Sequence, residues 1–498
     1  MTQLFKDLFI FEMANNHQGD VNHGLAIIKA MGEIKRKYNI NAGVKFQYRQ
    51  LDTFIHPDFR YDKEAKHISR FLSTELSKEQ FATLVKATRD EGLVTICTPF
   101  DEESVDLIVE QGIEIIKVAS CSADDWPLLK KIVKANKPVM ASTGGLDLPK
   151  IDNLVSFLSH KTTNNFAILH CVGIYPSPNE VLHLNYVERL IKRYPGVTIG
   201  YSGHEAPENY EVIQIAVAKG ACIFERHVGL PTESIKLNAY SMSPAQVDNW
   251  IAAALRTITI CGSPDKAITQ AEIDSLLSLK RGVFARHEIK KGKEITLEDV
   301  FFAMPCAEGQ LTSGAFGQYR TKWVATRNYK PKEGIVEQSQ PDLYKHIRAI
   351  IHQAKGMLTE AQINLGNEFE VELSHHYGLE EFPKTGCLIV NLMNREYCKK
   401  LIVVLPGQHH PLHKHKRKEE TFHLLCGDLT LQLDEKMYQL KPGDMHLIER
   451  ETWHSFFSEK GAIFEEVSTT HYRNDSYYQD ERISVLDPIQ RKTVLDTF

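Results

Sequence analysis

The sequence lacks an excess of either charge. Its 498 residues carry 59 Lys and Arg against 64 Asp and Glu, a formal net charge of −5, so neither nucleic acid nor an anionic membrane is expected as the main partner. It also lacks a cysteine framework. Nine cysteines are scattered with no CxxC pair, a pattern of reduced thiols that points to the cytoplasm. No apolar run approaches the roughly 18 residues of a membrane-spanning helix. Met1–Met13 carries Lys6, Asp7 and Glu12 without the basic start, apolar core and small-residue cleavage site of a signal peptide. No GxGxxG follows the first apolar run, which disfavours a dinucleotide-binding doubly wound sheet. What is present is ordinary globular composition, 42% hydrophobic and 25% charged, and a length that suggests about three domains.

Over residues 1–265 one rhythm repeats: a short β-rich apolar run, a polar loop, then a helical stretch closed by Gly, Asn or Pro. Eight candidate strands are Leu8–Ala14, Ala42–Tyr48, Val94–Phe100, Ile115–Ser120, Pro138–Thr143, Phe166–Val172, Thr198–His204 and Cys222–Val228. Between them, Ser77-Lys-Glu-Gln80 predicts a capping-box helix start, and Asp101–Glu110 and Trp126–Ala135 predict further helices. Eight β-then-α units predict an α/β fold, a (β/α)8 TIM barrel. After Ser263 the rhythm stops. Residues 280–337 are strand-rich and glycine-punctuated, Glu337–Pro341 reads as a linker, and 342–475 reads as a helical stretch followed by an all-β barrel.

In a TIM barrel, chemistry collects at the C-terminal ends of the strands. There the sequence places Glu12, Asn15, Asn16 and His17; Lys45 and Gln47 on one side of the second strand; Thr98; Lys117 and Ser120; Ser142 and Thr143; His170 with nearby Tyr175; Ser202 and His204; and Glu225 and His227. Two lysines, several hydroxyls and the Gly144–Gly145 amides suit a phosphorylated dianionic ligand. The alternative is that each lysine is a buried ion-pair partner of Glu12 or Glu225. His204 and His227 end adjacent strands and can share a divalent metal with open positions, with Glu12 as a further direct or water-mediated ligand.

Taken in order, Glu12-Met-Ala-Asn-Asn-His17, Val44-Lys-Phe-Gln47, Thr98-Pro-Phe-Asp101, Lys117-Val-Ala-Ser120, Ser142-Thr-Gly-Gly145, Leu169-His-Cys171 with Tyr175-Pro176, Gly200-Tyr-Ser-Gly-His204 and Glu225-Arg-His227 resemble the sialic acid (nonulosonic acid) synthase family. Arg281–Glu337 resembles the small antifreeze-like (SAF) β-clip domain behind the barrel in that family. The resemblance implies condensation of phosphoenolpyruvate with a sugar aldehyde, a 3-deoxy-2-keto sugar acid as product, and a homodimer in which the SAF domain closes the partner's site. It implies manganese or magnesium on His204 and His227. It places phosphoenolpyruvate on Lys45, Thr98, Lys117, Ser120, Ser142 and Ser202, with Gln47 and Tyr175 toward the sugar and Glu12 near the reacting carbons. Departures stand at Gly203, Ser122, Gly173 and Ile235-Lys236-Leu237, where the family usually places acidic or small polar groups. They point to an atypical acceptor in place of N-acetylmannosamine. The alternative is a non-synthetic protein that binds sugar phosphate as a regulator, with any activity in the C-terminal domain.

That domain carries Gly407, His413, His415, Glu420 and Gly427 in the pattern G-x5-H-x-H-x4-E-x6-G, with His454 downstream. This resembles a cupin. Histidines at i and i+2 share one face of a strand, and with Glu420 and His454 they form a three-nitrogen, one-oxygen set for Mn, Fe, Zn or Ni. Glu465–His471 with Asp475–Tyr478 resembles sugar-isomerase cupins, which implies a carbohydrate ligand and leaves open an isomerase, a sensor or a structural module.

Overall fold

Alternation of side chains along short strands sets the architecture of the first half of the chain. In the computed structural model, which describes residues 3–62, 67–162, 165–318, 321–337, 343–495 and 498, eight strands close a parallel barrel in chain order. They are β1 (Leu8–Glu12), β2 (Ala42–Tyr48), β3 (Val94–Pro99), β4 (Ile115–Val118), β5 (Val139–Ser142), β6 (Phe166–Cys171), β7 (Thr198–Gly203) and β8 (Ile223–His227), with β1 pairing both β2 and β8. Leu8 and Ile10 of β1 join Ile96, Ile115, Met140, Leu169 and Ile223 in a core inside the barrel. Phe9 and Phe11, of opposite parity, pack with Val44, Phe46, Leu84 and Trp250 between strands and helices. The inward parity is apolar at the N-terminal end and polar at the C-terminal end: Ile10 leads to Glu12, Ile115 to Lys117, Met140 to Ser142, and Ile223 to Glu225 and His227.

The helices begin where side-chain caps satisfy their free N–H groups. Ser77 and Gln80 form a reciprocal capping box at the start of Lys78–Asp90, and Asp101 and Asp125 cap Glu102–Glu110 and Trp126–Lys134. The fourth strand ends at Val118, two residues before the sequence predicts, because Ser120–Ser122 turn into a short helix.

The chain divides into two units, Met1–Lys266 and Ala267–Phe498. Residues 338–341 of the expected linker lie outside the described residues. The second unit opens with two small antiparallel pairs, β9 (Gly282–Ala285) with β11 (Val300–Ala303) and β10 (Glu294–Ile295) with β12 (Trp323–Val324), around Val283, Ile289, Tyr329 and Ile335.

Helix Leu343–Glu360 then lays Ile350, Ala354 and Leu358 against Leu401 and Val403 of a seven-stranded sheet. That sheet runs β20 (Met445–Ile448), β17 (Glu420–Gly427), β22 (Ala462–Thr469), β15 (Tyr397–Val404), β14 (Gly386–Asn394), β13 (Glu370–His375), β24 (Lys492–Leu495). A five-stranded sheet faces it, in the order β19 (Lys436–Leu440), β18 (Leu429–Leu433), β21 (His454–Phe457), β16 (His409–Lys414), β23 (Tyr477–Tyr478). Ile402, Phe422, Leu431, Phe456 and Phe464 form a core shared by both sheets. All nine cysteines are free thiols, and no helix among the described residues is long and apolar enough to cross a membrane.

Candidate functional site

Glu225 is the hub of the barrel mouth. Its Oε1 accepts from Ser202 Oγ at 2.8 Å and lies 2.9 Å from Lys45 Nζ and 3.8 Å from Lys117 Nζ. Lys45 also pairs with Glu12, and Lys117 donates to Ser142 Oγ at 2.6 Å. Both ion-pair partners proposed for the lysines are therefore engaged, and the ammoniums, carboxylates and hydroxyls stand around one site. All four charged groups are buried, where an unpaired charge costs several kcal/mol.

Burial draws the Lys45 ammonium down to about 8 against the attraction of Glu225. Burial alone raises Glu225, but Lys117 and Lys45 outweigh it and hold the carboxyl below the usual range. Glu225 Oε2 and Thr98 Oγ1 are buried without a hydrogen bond, as expected of groups that await a ligand. Ser120 Oγ accepts from the Gly144 N–H at 3.0 Å. A Cβ on Gly144 would stand 2.8 Å from that oxygen, so glycine permits the approach. Glu12 is fixed by the Ala14 N–H at 2.9 Å and by Gln47 Nε2 at 3.3 Å.

His204 and His227 extend the same wall, with ring centroids 5.4 Å apart. His204 Nδ1 bonds the Val172 carbonyl at 3.0 Å, so Nε2 keeps its lone pair. Burial lowers both imidazoles, His204 to about 4 and His227 well below its usual value, so both are neutral donors at physiological pH. The Tyr175 ring lies against His204, tilted by 52° with centroids 4.2 Å apart, and Tyr240 stands edge-on to His227 at 5.0 Å. Two neutral imidazole nitrogens can share a divalent ion that keeps open positions, although among the described residues no third His, Cys, Asp or Glu ligand atom gathers with them.

Three strand-end residues behave differently from expectation. His170 has the outward parity of β6: its Nε2 bonds the Leu182 carbonyl at 2.7 Å and its ring packs on Tyr186, so it faces away from the mouth. His17 accepts from the Gly19 N–H, and Asn16 donates to the Val228 carbonyl; both hold loops. At Gly203 a Cβ would collide with the carboxylate of Glu205. That carboxylate pairs with the buried Arg226, whose Nη2 also donates to the Glu205 carbonyl at 2.7 Å. Leu237 packs over Gly229 beside Asn16.

The second constellation lies inside the C-terminal double sheet. One ligand atom from each of His413, His415 and His454 falls within 4.8 Å of the others. Their Nδ1 atoms are tied to the carbonyls of Pro411 at 3.0 Å, Asp475 at 2.7 Å and Thr452 at 3.1 Å. That fixes the tautomers and leaves Nε2 as the donor. Glu420 stands beside two of the three, 3.2 Å from His454 Nε2 and 3.5 Å from His415 Nε2. Burial depresses His413 well below its usual value and His415 to about 4. His454 Nε2 and Glu420 Oε2 have no hydrogen-bond partner. The donor set fits a transition metal.

Several neighbours are not foreshadowed by the motif. Lys418 pairs with Glu420 and, at 2.8 Å, with Glu466, which also takes Lys400 at 2.9 Å. The only sequence signal for Lys400 is that, of the two adjacent lysines in Tyr397–Val404, it is the one that shares the parity of Ile402. In the barrel, Tyr240 and Arg49 are likewise unannounced. Arg49 is held between the rings of Phe71 and Phe100 and donates to Gln47 Oε1 at 2.9 Å.

Two protein families match the chain: the NeuB family over residues 35–266 and the cupin domain over residues 400–465. An N,N'-diacetyllegionaminic acid synthase of Campylobacter jejuni is 28% identical over 345 residues, 67% of this chain and 99% of that protein. An N-acetylneuraminate-9-phosphate synthase of Mus musculus is 25% identical over 346 residues, 68% of this chain and 94% of that protein. The crystal structure of a protein described as a spore coat polysaccharide biosynthesis protein E, from Chromobacterium violaceum, is 46% identical with a TM-score of 0.64, covering 68% of this chain and 100% of that one.

Proposed function

The chain belongs to the NeuB family, and from that premise we propose that its barrel condenses phosphoenolpyruvate with a sugar aldehyde, releasing phosphate and a 3-deoxy-2-keto sugar acid. The observation that carries this reading is the array of Lys45, Lys117, Ser142 and Ser202 around Glu225, with His204 and His227 on the same wall. Lys45 and Lys117 neutralise the carboxylate and phosphate of phosphoenolpyruvate, and Thr98, Ser120, Ser142 and Ser202 donate to their oxygens. The enol face and the aldehyde are thereby held in near-attack geometry. A manganese or magnesium ion on His204 and His227 would supply Lewis-acid polarisation of the acceptor carbonyl.

C3 of phosphoenolpyruvate attacks the aldehyde carbon, water adds at C2, and phosphate leaves with cleavage of its C–O bond. Glu12, fixed by Ala14 and Gln47, positions that water and takes its proton. Gln47 and Tyr175 face the sugar. Residues 1–265, 280–337 and 342–475 act as barrel, SAF and cupin domains of a cytoplasmic homodimer, with a second metal on His413, His415, Glu420 and His454. Glu205 at the Gly203 bend and Leu237 beside Asn16 alter the rim where the family resemblance places the sugar, which favours an atypical acceptor. Purified chain with manganese and phosphoenolpyruvate, offered a panel of aldoses that includes N-acetylmannosamine, should release phosphate with at least one. Release with none overturns the proposal.

A further inference from the structure

The cavity inside the C-terminal double sheet holds more positive than negative charge. It opens to solvent on one side, and Lys400, Lys418, Lys492, Arg473 and Arg491 line it against Glu372, Glu420 and Glu466. All three carboxylates are taken. Glu466 accepts from Lys400 and Lys418, Glu420 pairs with Lys418 and faces the histidines, and Glu372 accepts from Lys492 at 3.0 Å. Two guanidiniums are left over. Arg491 lies 5.0 Å from the centroid of the Tyr478 ring, and Arg473 stands exposed at the mouth. A divalent ion on the neutral histidines would widen the imbalance.

The field is felt by His471, which is pushed down to about 2 by burial first and then by Lys400, Lys418, His415 and Lys492, all acting in one direction. Excess cations converging on one cavity call for an anion to complete them. Tyr478 links the arginine to the metal set: its ring stacks on His413 at 5.4 Å and its hydroxyl lies 3.0 Å from His376 Nε2. Ser374 and Ser476 add hydroxyls to the wall.

We propose that this cavity binds an anionic sugar, a hydroxylated chain bearing a carboxylate or a phosphate, with its anion on Arg473 and Arg491 and its hydroxyls toward the histidine set. A neutral sugar would leave both guanidiniums unmatched. The inference does not depend on the barrel reaction.

The test is calorimetric titration of the manganese-loaded full chain with 2-keto-3-deoxy-D-gluconate, D-glucose 6-phosphate and D-glucose. At least one anion should bind about tenfold or more tighter than D-glucose, and which one does identifies carboxylate or phosphate as the recognised group. Arg473→Gln/Arg491→Gln should weaken that anion by about tenfold or more while keeping manganese content, circular dichroism and phosphate release. The single Arg473→Gln change, at an exposed position, should weaken it less. Lys117→Met should leave the affinity in place. Equal affinity for D-glucose, no binding of either anion at millimolar concentration, undiminished binding in the double arginine variant, or loss in Lys117→Met alone would each overturn the proposal, the last by placing the anion in the barrel.

Discussion

The two metal-competent sites differ in how far the protein closes them. In the C-terminal domain three imidazoles, each locked by a backbone carbonyl, bring their ligand atoms within 4.8 Å of one another, and a carboxylate stands beside two of them. At the barrel mouth two imidazoles stand beside a carboxylate that is already shared by two lysines and a serine. A nearly complete donor set holds an ion firmly, whereas an open pair keeps positions for substrate oxygens. Charge differs as well. Two lysines balance two glutamates at the barrel mouth, while the C-terminal cavity carries cations in excess. On the proposed reading, the barrel would exchange its ligands during a reaction, and the C-terminal domain would retain a metal and attract an anion.

The largest expected effect comes from separating the sites. His227→Ala should lower phosphate release by more than about a thousandfold and remove one equivalent of bound metal, leaving the cupin equivalent in place. His454→Ala should remove the other equivalent and keep phosphate release within about twofold. Metal analysis alongside a phosphate assay reads both. Loss of phosphate release in His454→Ala would break the comparison, because the two sites would then depend on each other.

Buried charge gives the next effect. Glu225→Gln leaves Lys45 and Lys117 facing one another without their shared counter-ion, which should cost about 3–5 kcal/mol in urea unfolding. Glu451→Gln, which removes the surface partner of Lys414, should cost less than about 1 kcal/mol. A similar cost for both would mean that the barrel-mouth pair is as well solvated as the surface one.

pH sharpens the contrast further. Burial lowers Lys45 to about 8, so its ammonium is present below that pH and is lost as the pH rises through it. The KM for phosphoenolpyruvate should be flat below pH ~8 and rise by up to about tenfold per pH unit above it. In Lys45→Arg that rise should disappear, since guanidinium stays charged. An unchanged profile in the arginine variant would assign the titration elsewhere.

Much of the barrel site is legible in sequence because its logic is local. Several strands run from apolar to polar along one parity, and Lys117, Glu225 and His227 follow from that pattern. His170 shows the limit: it lies at a strand end, but Leu169 and Cys171 hold the inward parity and His170 points out. The cupin motif is equally local. Its surroundings are not, because Lys400 meets Glu466 only through the pairing of β15 with β22, and Arg491 reaches the cavity only because β24 returns to pair with β13. Register between distant strands is set by the packed sheet and leaves no trace in the spacing of residues.

The smallest expected effect tests whether ease of reading tracks importance. Ser77 and Gln80 are evident from a four-residue window, and the structure pairs them reciprocally, with the Ser77 N–H donating to Gln80 Oε1 at 2.7 Å and Ser77 Oγ accepting from the Gln80 N–H at 3.3 Å. Ser77→Ala removes one of these bonds at an exposed helix start and should cost about 1 kcal/mol in urea unfolding. Metal content and phosphate release should stay at wild-type values. If they do, the most local signal governs only a helix end, and Lys418, which no motif announces, should matter more to the metal site. A Ser77→Ala loss of phosphate release instead would mean that the helix start helps to set the barrel mouth.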